Sequence, residues 1–377
     1  MSLLKTLVMV FVTLVFISCE NKPIEEITIG GSFSLSNNAT HLGRSSFNAM
    51  TLAVDEYNKT RQNNEPYVNF IGKDDKWEVE SLVDNYYSLI KEHNAKVVFM
   101  NNSTGLQKLH KEFVKDDIIA VNSLNNHKSL SELESNIFQV AKSTEEAHQL
   151  LGVRINELGF QNVVIIYCNN EFMAYGAQSI KEVLDTKNVA CKIIRTGPKQ
   201  QDYTKELKSI ERDKVDAIVF LSFRRIGLAM KQAREMGMNM PFFGTTSTPL
   251  DELYDLSNGA VVGTEYIDFS PMDGNYSMAY AFLDAYGQRF KDNSKSVYLA
   301  MQSYDAINIV LSKLRNVNKE GIGKENITSW LKAELLRINN YQGVCGTISF
   351  SKEGASKGVY FSLYKIEAKG KVTPVKR

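Results

Sequence analysis

Four cysteines and five histidines in 377 residues are too few and too scattered to build a metal centre. His41, His93, His110, His127 and His148 include no pair at the i, i+4 spacing that puts two ligands on one helical face. With Cys19 set aside, Cys168, Cys191 and Cys345 are odd in number and far apart, so they form neither a zinc pattern nor a disulfide framework. A Gly-x-Ser-x-Gly elbow and a Walker phosphate loop are missing, and Gly321-Ile322-Gly323 lacks the preceding strand and third glycine of a dinucleotide fingerprint. No cofactor, metal or catalytic residue is therefore expected, and the chain is not expected to be an enzyme. A site assembled from distant residues is the catalytic alternative that stays open. An excess of charge is lacking too: 44 basic residues face 43 acidic ones, which draws the chain by charge to neither nucleic acid nor anionic lipid. Low-complexity tracts, coiled-coil heptads and fixed-period repeats are also wanting.

What is present begins at the N-terminus. Lys5 precedes an apolar run from Leu7 to Ile17, followed by Ser18-Cys19 and a polar stretch. The run is shorter than the about 18 to 20 apolar residues that cross a bilayer, and a small residue before Cys19 suits signal-peptidase cleavage. Residues 1–18 are expected to be an export signal and 19–26 a spacer behind it. The arrangement resembles a bacterial lipoprotein signal, with Phe16 in place of that class's usual leucine. The resemblance implies lipid attachment at Cys19 and a periplasmic or cell-surface protein tethered to a membrane. Lys5 is the only charge the signal carries, so its removal leaves a formal balance of zero.

Downstream, short continuous apolar runs alternate with segments of helical period. Strands are expected at 27–30, 68–71, 97–100 and 118–121, with helices at 47–57, 79–90 and 106–114 between them. After a strand at 137–140 the rhythm restarts, with strands at 163–167, 193–194 and 217–221 and helices at 147–158, 180–184, 207–210 and 228–236. Strands apolar on both faces and alternating with helices imply parallel sheets sheathed by helices, and two restarts imply two of them. The length also favours two domains. Helices follow at 278–290, 298–314 and 327–336, and segments 347–350 and 359–366 read as a closing hairpin around Lys352-Glu353-Gly354. Cys168 and Cys191 fall in segments that could be adjacent strands, so a bridge and two buried thiols are both open.

A series of short motifs runs in order along the chain: Ile27-Thr28-Ile29-Gly30 with Ser34-Leu35-Ser36, Gly43 and Val54-Asp55-Glu56-Tyr57-Asn58, then Asp74-Asp75, Val98 through Asn102-Ser103-Thr104, and 118–122. Phe138 to Ala141, Tyr175-Gly176, Asp202-Tyr203, Val219-Phe220, Gln232-Ala233-Arg234 with Gly237, and Phe242-Phe243-Gly244 continue it. The series, spanning 27–314, resembles the type I periplasmic binding proteins of the leucine/isoleucine/valine-binding class. It implies an α/β fold of two doubly wound parallel-sheet lobes joined by a hinge of crossing strands. The expected lobes are 27–140 with 268–345, and 141–267 with 346–377. It also implies capture of a small amino-acid-like or carboxylate-bearing ligand between the closing lobes, delivery to an ABC permease, and a monomer with no nucleic-acid partner.

Carried over by position, the implied ligand residues are Asn102, Ser103, Thr104, Leu124, Asn126, Tyr175, Phe223, Arg224 and Thr246. Asn102, Ser103 and Thr104 follow a strand and could open a helix whose free N–H groups hold a carboxylate, with a plain N-cap at Thr104 as the other reading. The stretch 122–126 replaces a Ser-Pro-x-Ala-Thr-like segment, so side-chain contacts there differ from the class. Tyr175 matches a tyrosine that closes from the second lobe, with interlobe packing as its alternative. Thr246 stands where amino-acid binders of the class place an acid against the ligand's ammonium, and an uncompensated buried ammonium costs several kcal/mol. Phe223-Arg224-Arg225 puts cations before a helix, where each is disfavoured by about 0.3 to 1 kcal/mol. Either they are solvated, or they face an anionic ligand or bridge the cleft. A ligand with a carboxylate or other anion, and no required ammonium, fits these substitutions. A ligand sensor of the same fold without a permease is the competing function.

Overall fold

Val97–Met100 and Ile119–Val121 are buried at every position, an arrangement that only a sheet covered on both faces allows. The structure, a computed structural model, describes residues 22–37, 39–124, 126–141, 143–197, 199–222, 225–268, 277–291, 297–359 and 361–375. The expected export signal and Cys19 lie outside them.

The first half runs β1 (Glu26–Phe33), α1 (Thr40–Thr60), β2 (Tyr67–Asp74), α2 (Val79–Lys91), β3 (Val97–Met100), α3 (Ser103–Lys115), β4 (Ile119–Asn122), α4 (Lys128–Ser131) and β5 (Ile137–Gln139). Its strands form a five-stranded parallel sheet in the order β2-β1-β3-β4-β5. The second half runs α5 (Thr144–Glu157), β6 (Asn162–Cys168), α6 (Glu171–Thr186), β7 (Ala190–Thr196), α7 (Thr204–Lys208), β8 (Ala217–Leu221), α8 (Ile226–Glu235), β9 (Phe242–Gly244), α9 (Asp251–Leu256) and β10 (Glu265–Asp268). Then come α10 (Ser277–Phe290), α11 (Val297–Leu314), α12 (Ile327–Leu336), β11 (Tyr341–Gly343), β12 (Gly346–Phe350), β13 (Ser356–Val359), β14 (Ser362–Ala368) and β15 (Lys371–Pro374).

The second large sheet has seven strands in the order β15-β14-β10-β9-β8-β6-β7. Strands β6 to β10 are parallel, and β14 and β15 close the edge antiparallel. In both sheets the order reverses beside the first strand of the unit, between β1 and β3 and between β6 and β8. That reversal splays the following loops apart and opens a crevice at the carboxyl ends of the strands. The two-lobed doubly wound reading of the sequence is thus the architecture found.

The core of the first sheet is completed by the late helices: Ala49, Met50 and Ala53 of α1 pack with Ala300, Ile307 and Val310 of α11 and Leu331 of α12. Each fully buried Leu, Ile or Val side chain contributes about 1.5–3 kcal/mol, so this face carries much of the lobe's stability. Two sequence expectations need correction. Segment 347–350 does turn at Lys352–Gly354, but its hairpin partner is β13, whereas 362–368 leaves to join the seven-stranded sheet. Hydrophobic burial makes the division: Ile348 belongs to the first core, and Tyr364 and Ile366 to the core under β8 and β9. Cys168 and Cys191 do lie on neighbouring strands, but Val163 faces Cys191 and Thr196 faces Cys168. The offset of five residues is about 16 Å along the strand, far beyond disulfide reach, and both thiols are free.

The connections between the two sheets are laced together. Ala141 exchanges hydrogen bonds with the Ser356 hydroxyl, donating its N–H at 3.1 Å and accepting the hydroxyl proton on its carbonyl at 2.6 Å. Gln139 donates its N–H to the Gly354 carbonyl at 2.9 Å. Nearby, buried Asp305 of α11 accepts the N–H groups of Val344 at 2.6 Å and Cys345 at 2.8 Å. Asp305→Ala strands both donors and is expected to cost about 2–4 kcal/mol. Urea unfolding checks this; a loss below about 1 kcal/mol would show that the turn finds other acceptors.

Candidate functional site

The site is built where the loops after β2, β3 and β4 meet the start of α6. A cavity of about 350 Å³ there is lined by Trp77, Asn101, Asn102, Ser103, Thr104, Gln107, Leu124, His127, Ser129 and Asn170. The volume suits a small solute. Every lining residue but Asn170 follows a strand of the first sheet, and Asn170 follows β6 of the second, so the cavity lies between the two units.

Asn101, at the end of β3, fixes the floor. Its amide donates to the Ser46 hydroxyl of α1 at 2.9 Å, and its carbonyl accepts the Ser123 N–H at 3.2 Å and hydroxyl at 3.1 Å. Ser123 in turn pairs with Ser303 of α11 at 2.9 Å, and Ser46 also meets Ser303. All four side chains are buried, so each needs these partners to offset desolvation. Asn102 is the N-cap of α3, its side-chain oxygen accepting the Gly105 N–H at 3.1 Å. The cap is therefore Asn102 and not Thr104, which corrects the sequence reading. Ser103 is half-buried and Thr104 exposed in the first turn, where helix N–H groups favour an anion. Across the cavity Asn170 caps α6 by accepting the Met173 N–H at 2.9 Å.

His127 forms another wall. The Ser129 N–H donates to its Nδ1 at 3.2 Å, which leaves the hydrogen on Nε2 in the neutral ring. Its backbone is gripped by Gln139, whose side chain accepts the His127 N–H at 2.8 Å and donates to its carbonyl at 3.2 Å. Gln107 steadies the same corner through the Ser129 hydroxyl at 2.9 Å.

The Asp74-Asp75 pair shapes the rim. Asp74 accepts the Leu35 N–H at 2.8 Å, the Ser36 hydroxyl at 2.6 Å and the Lys76 N–H at 3.0 Å. Burial alone would raise its pKa, but these bonds outweigh it and hold the carboxyl below its ordinary 3.8. Asp75 is pushed up by burial, against the Trp77 N–H at 2.8 Å and the Ser32 hydroxyl at 3.2 Å that favour its charge. By capturing the two N–H groups the pair holds Lys76 at φ 55° and Trp77 at φ 63°, a left-handed turn costing roughly 1 kcal/mol per residue. Trp77 is thereby displayed at the cavity, 41% exposed. The sequence reading missed Trp77, Gln107, His127, Ser129 and Asn170. The signals were one of only two tryptophans, one residue removed from an acidic pair, and an asparagine opening a helix after a strand.

Of the expected ligand residues, the structure brings Asn102, Ser103, Thr104 and Leu124 together here. Asn126 and Tyr175 line a neighbouring cavity of about 410 Å³ with Glu145, Glu146 and Ser356. Asn126 is spent on the crossing strands: its amide donates to the Ser356 carbonyl at 2.9 Å, and its own carbonyl accepts the Thr144 N–H at 3.2 Å. Tyr175 packs on His127 with ring centroids 5.0 Å apart, a contact between the two units, and donates to Glu145 at 3.4 Å. Burial, with Glu145 beside it, pushes its phenol up to about 12. Thr246 is half-buried in the turn after β9 and lines neither cavity. Phe223 and Arg224 lie outside the described residues, while the neighbouring Arg225 is exposed before α8.

A family model described as periplasmic binding protein matches residues 26–371. No curated protein matches the sequence. Among solved structures, the leucine binding protein LivK of Thermotoga maritima is 15% identical at a TM-score of 0.78, covering 93% of this chain and 98% of that one. The branched-chain amino acid transporter substrate binding protein LivJ of Streptococcus pneumoniae, solved with isoleucine, is 19% identical at 0.74, covering 94% and 100%. A solute binding protein of an ABC transporter from R. palustris, solved with benzoate, is 16% identical at 0.73, covering 93% and 95%. Likeness at such identities establishes the fold.

A carboxyl whose folded pKa is depressed contributes stability above its unfolded pKa that is lost as pH falls through the folded value. Asp74 should therefore contribute at pH 5 and weaken the protein below about pH 4. Asp74→Asn should be less stable at pH 5 and lose less on going to pH 3. Urea midpoints at the two pH values measure this, and an unchanged acid slope would contradict it.

Proposed function

Because the chain belongs to the periplasmic binding protein family, we propose that it is a lipid-anchored extracytoplasmic receptor of an ABC transporter that captures a small carboxylate-bearing solute between two lobes. The family is one of binding proteins rather than enzymes. The observation that carries the reading is the cavity where Ser103 and Thr104, in the first turn of α3, face Asn170 across the junction of the two sheets. N–H groups and hydroxyls at a helix start match a carboxylate, and hinge closure would exclude water and strengthen those bonds. In this reading residues 27–140 with 268–345 and 141–267 with 361–377 are the lobes, and 346–359, expected with the second lobe, goes with the first because Ile348 packs in the first core. The crossing segments around Ala141 and Ser356 are the hinge, and Tyr175 against His127 is the closing contact.

Thr246 offers no charge to an ammonium, so an organic acid or a ligand with a masked amine suits the site better than a simple aliphatic amino acid. Arg224 is proposed as a cation that pairs with the ligand's anion. Cys19 carries the lipid, and a permease receives the solute from a monomeric receptor.

Calorimetry of the signal-free protein against amino acids and small organic acids tests the ligand class. At least one carboxylate should bind, and Ser103→Ala with Thr104→Ala should weaken it about tenfold, the equivalent of about 1.4 kcal/mol. Tight binding of leucine or valine that Arg224→Ala leaves unaffected would overturn the anionic-ligand assignment. Separately, Cys19→Ala in the full-length chain should move the protein from the membrane to the soluble fraction of expressing cells, and retention at the membrane would refute the lipid tether.

A further inference from the structure

Trp77 is placed at the cavity at a cost that packing does not repay. Its indole is 41% exposed, and among the described residues no other ring and no cation stacks on it. An exposed indole forfeits the burial that normally offsets a large apolar side chain. The backbone beneath it is strained as well, with two successive residues other than glycine in the left-handed region. The turn stays because Asp74 and Asp75 hold both N–H groups while Ser32, Ser36 and Asn85 hold the carboxylates and the Asp74 carbonyl. Strain locked in by surrounding hydrogen bonds at the mouth of a cavity points to use there.

The rest of the wall shows what that use is. Leu124 and His127 line the cavity as well, and the remaining lining side chains are amides and hydroxyls. Among the described lining residues none is a carboxylate, an ammonium or a guanidinium. The lining thus combines apolar or planar groups, Trp77, His127 and Leu124, with neutral hydrogen-bonding groups, Asn102, Ser103, Thr104 and Asn170. A solute that satisfies both has a flat apolar body and a carboxylate at one end: the body stacks on the indole and the carboxylate reaches the first turn of α3.

We infer that Trp77 is the specificity-determining residue of this site and selects planar aromatic carboxylates over aliphatic ones. The inference rests on the carboxylate-receptor reading above and adds the shape of the ligand body.

The experiment uses the signal-free protein carrying Trp330→Phe, which removes the other tryptophan, a residue whose Nε1 donates to Glu320 at 2.8 Å away from the site. Indole emission and calorimetry are followed against benzoate, phenylacetate, isovalerate and leucine. The expected result is tighter binding of benzoate or phenylacetate than of isovalerate, with a shift in emission. Trp77→Ala should weaken the aromatic acid tenfold or more and leave isovalerate within about twofold, and Trp77→Phe should recover most of the loss. Trp77→Leu, which keeps apolar volume without a ring face, should not recover it. Circular dichroism melting of each variant separates this pattern from misfolding, which would weaken every probe together. Binding of isovalerate or leucine in preference to both aromatic acids, or equal binding of the aromatic acid by Trp77→Ala, overturns this inference while the receptor reading stands. Failure of all four carboxylates to bind overturns this inference, and the receptor reading falls with it only if the wider panel of amino acids and organic acids also fails.

Discussion

The double-sided hydrogen bonding of Asn101 is the constraint from which the site follows. One primary amide at the end of β3 reaches α1 through Ser46 and the end of β4 through Ser123, and the cluster closes on α11 through Ser303. Its members are buried, so a lost partner would leave a polar group without water, at about 1–3 kcal/mol. The geometry of four elements is thereby locked at the strand ends. With Asn101 fully used internally, the next residues, Asn102 to Thr104, are left to cap α3 and to present its first turn to the cavity.

The same economy governs the connection between the halves. Parallel sheets put all their carboxyl-end loops on one edge, and two such edges face each other only if the chain crosses between them. The crossing backbone cannot be left unsatisfied, so Ser356, Asn126 and Gly354 supply short-range partners to segment 139–144. Large hydrophobic cores lie on either side, around α1 with α11 and around β8 with β9. Tyr175 and His127 meet across the seam near the cavity.

The rim adds a local version of the principle. Asp74 and Asp75 carry opposite pKa perturbations from adjacent positions, because Asp74 is surrounded by donors and Asp75 is more deeply buried. Together they hold a turn that its residue types would not choose, and the turn decides where Trp77 stands.

The strand and helix order was legible because continuous apolar runs and 3.6-residue periods are local signals that burial imposes directly: Val97–Met100, Val163–Tyr167 and Ala217–Leu221 are strands where the pattern put them. The motif run to Asn102-Ser103-Thr104 pointed to a loop that lines the candidate cavity. The sequence by itself determined two parallel α/β units and the order of their strands and helices. Only tertiary structure decided that Asn126 serves the crossing strands, that the hairpin after Phe350 pairs with Ser356–Val359, and that Cys168 and Cys191 stand apart in register. It also brought Trp77, His127 and Asn170 to one cavity. The reason is physical: periodicity encodes which face of an element is buried, whereas strand register, hydrogen-bond partnership and the meeting of loops depend on residues tens to hundreds of positions apart.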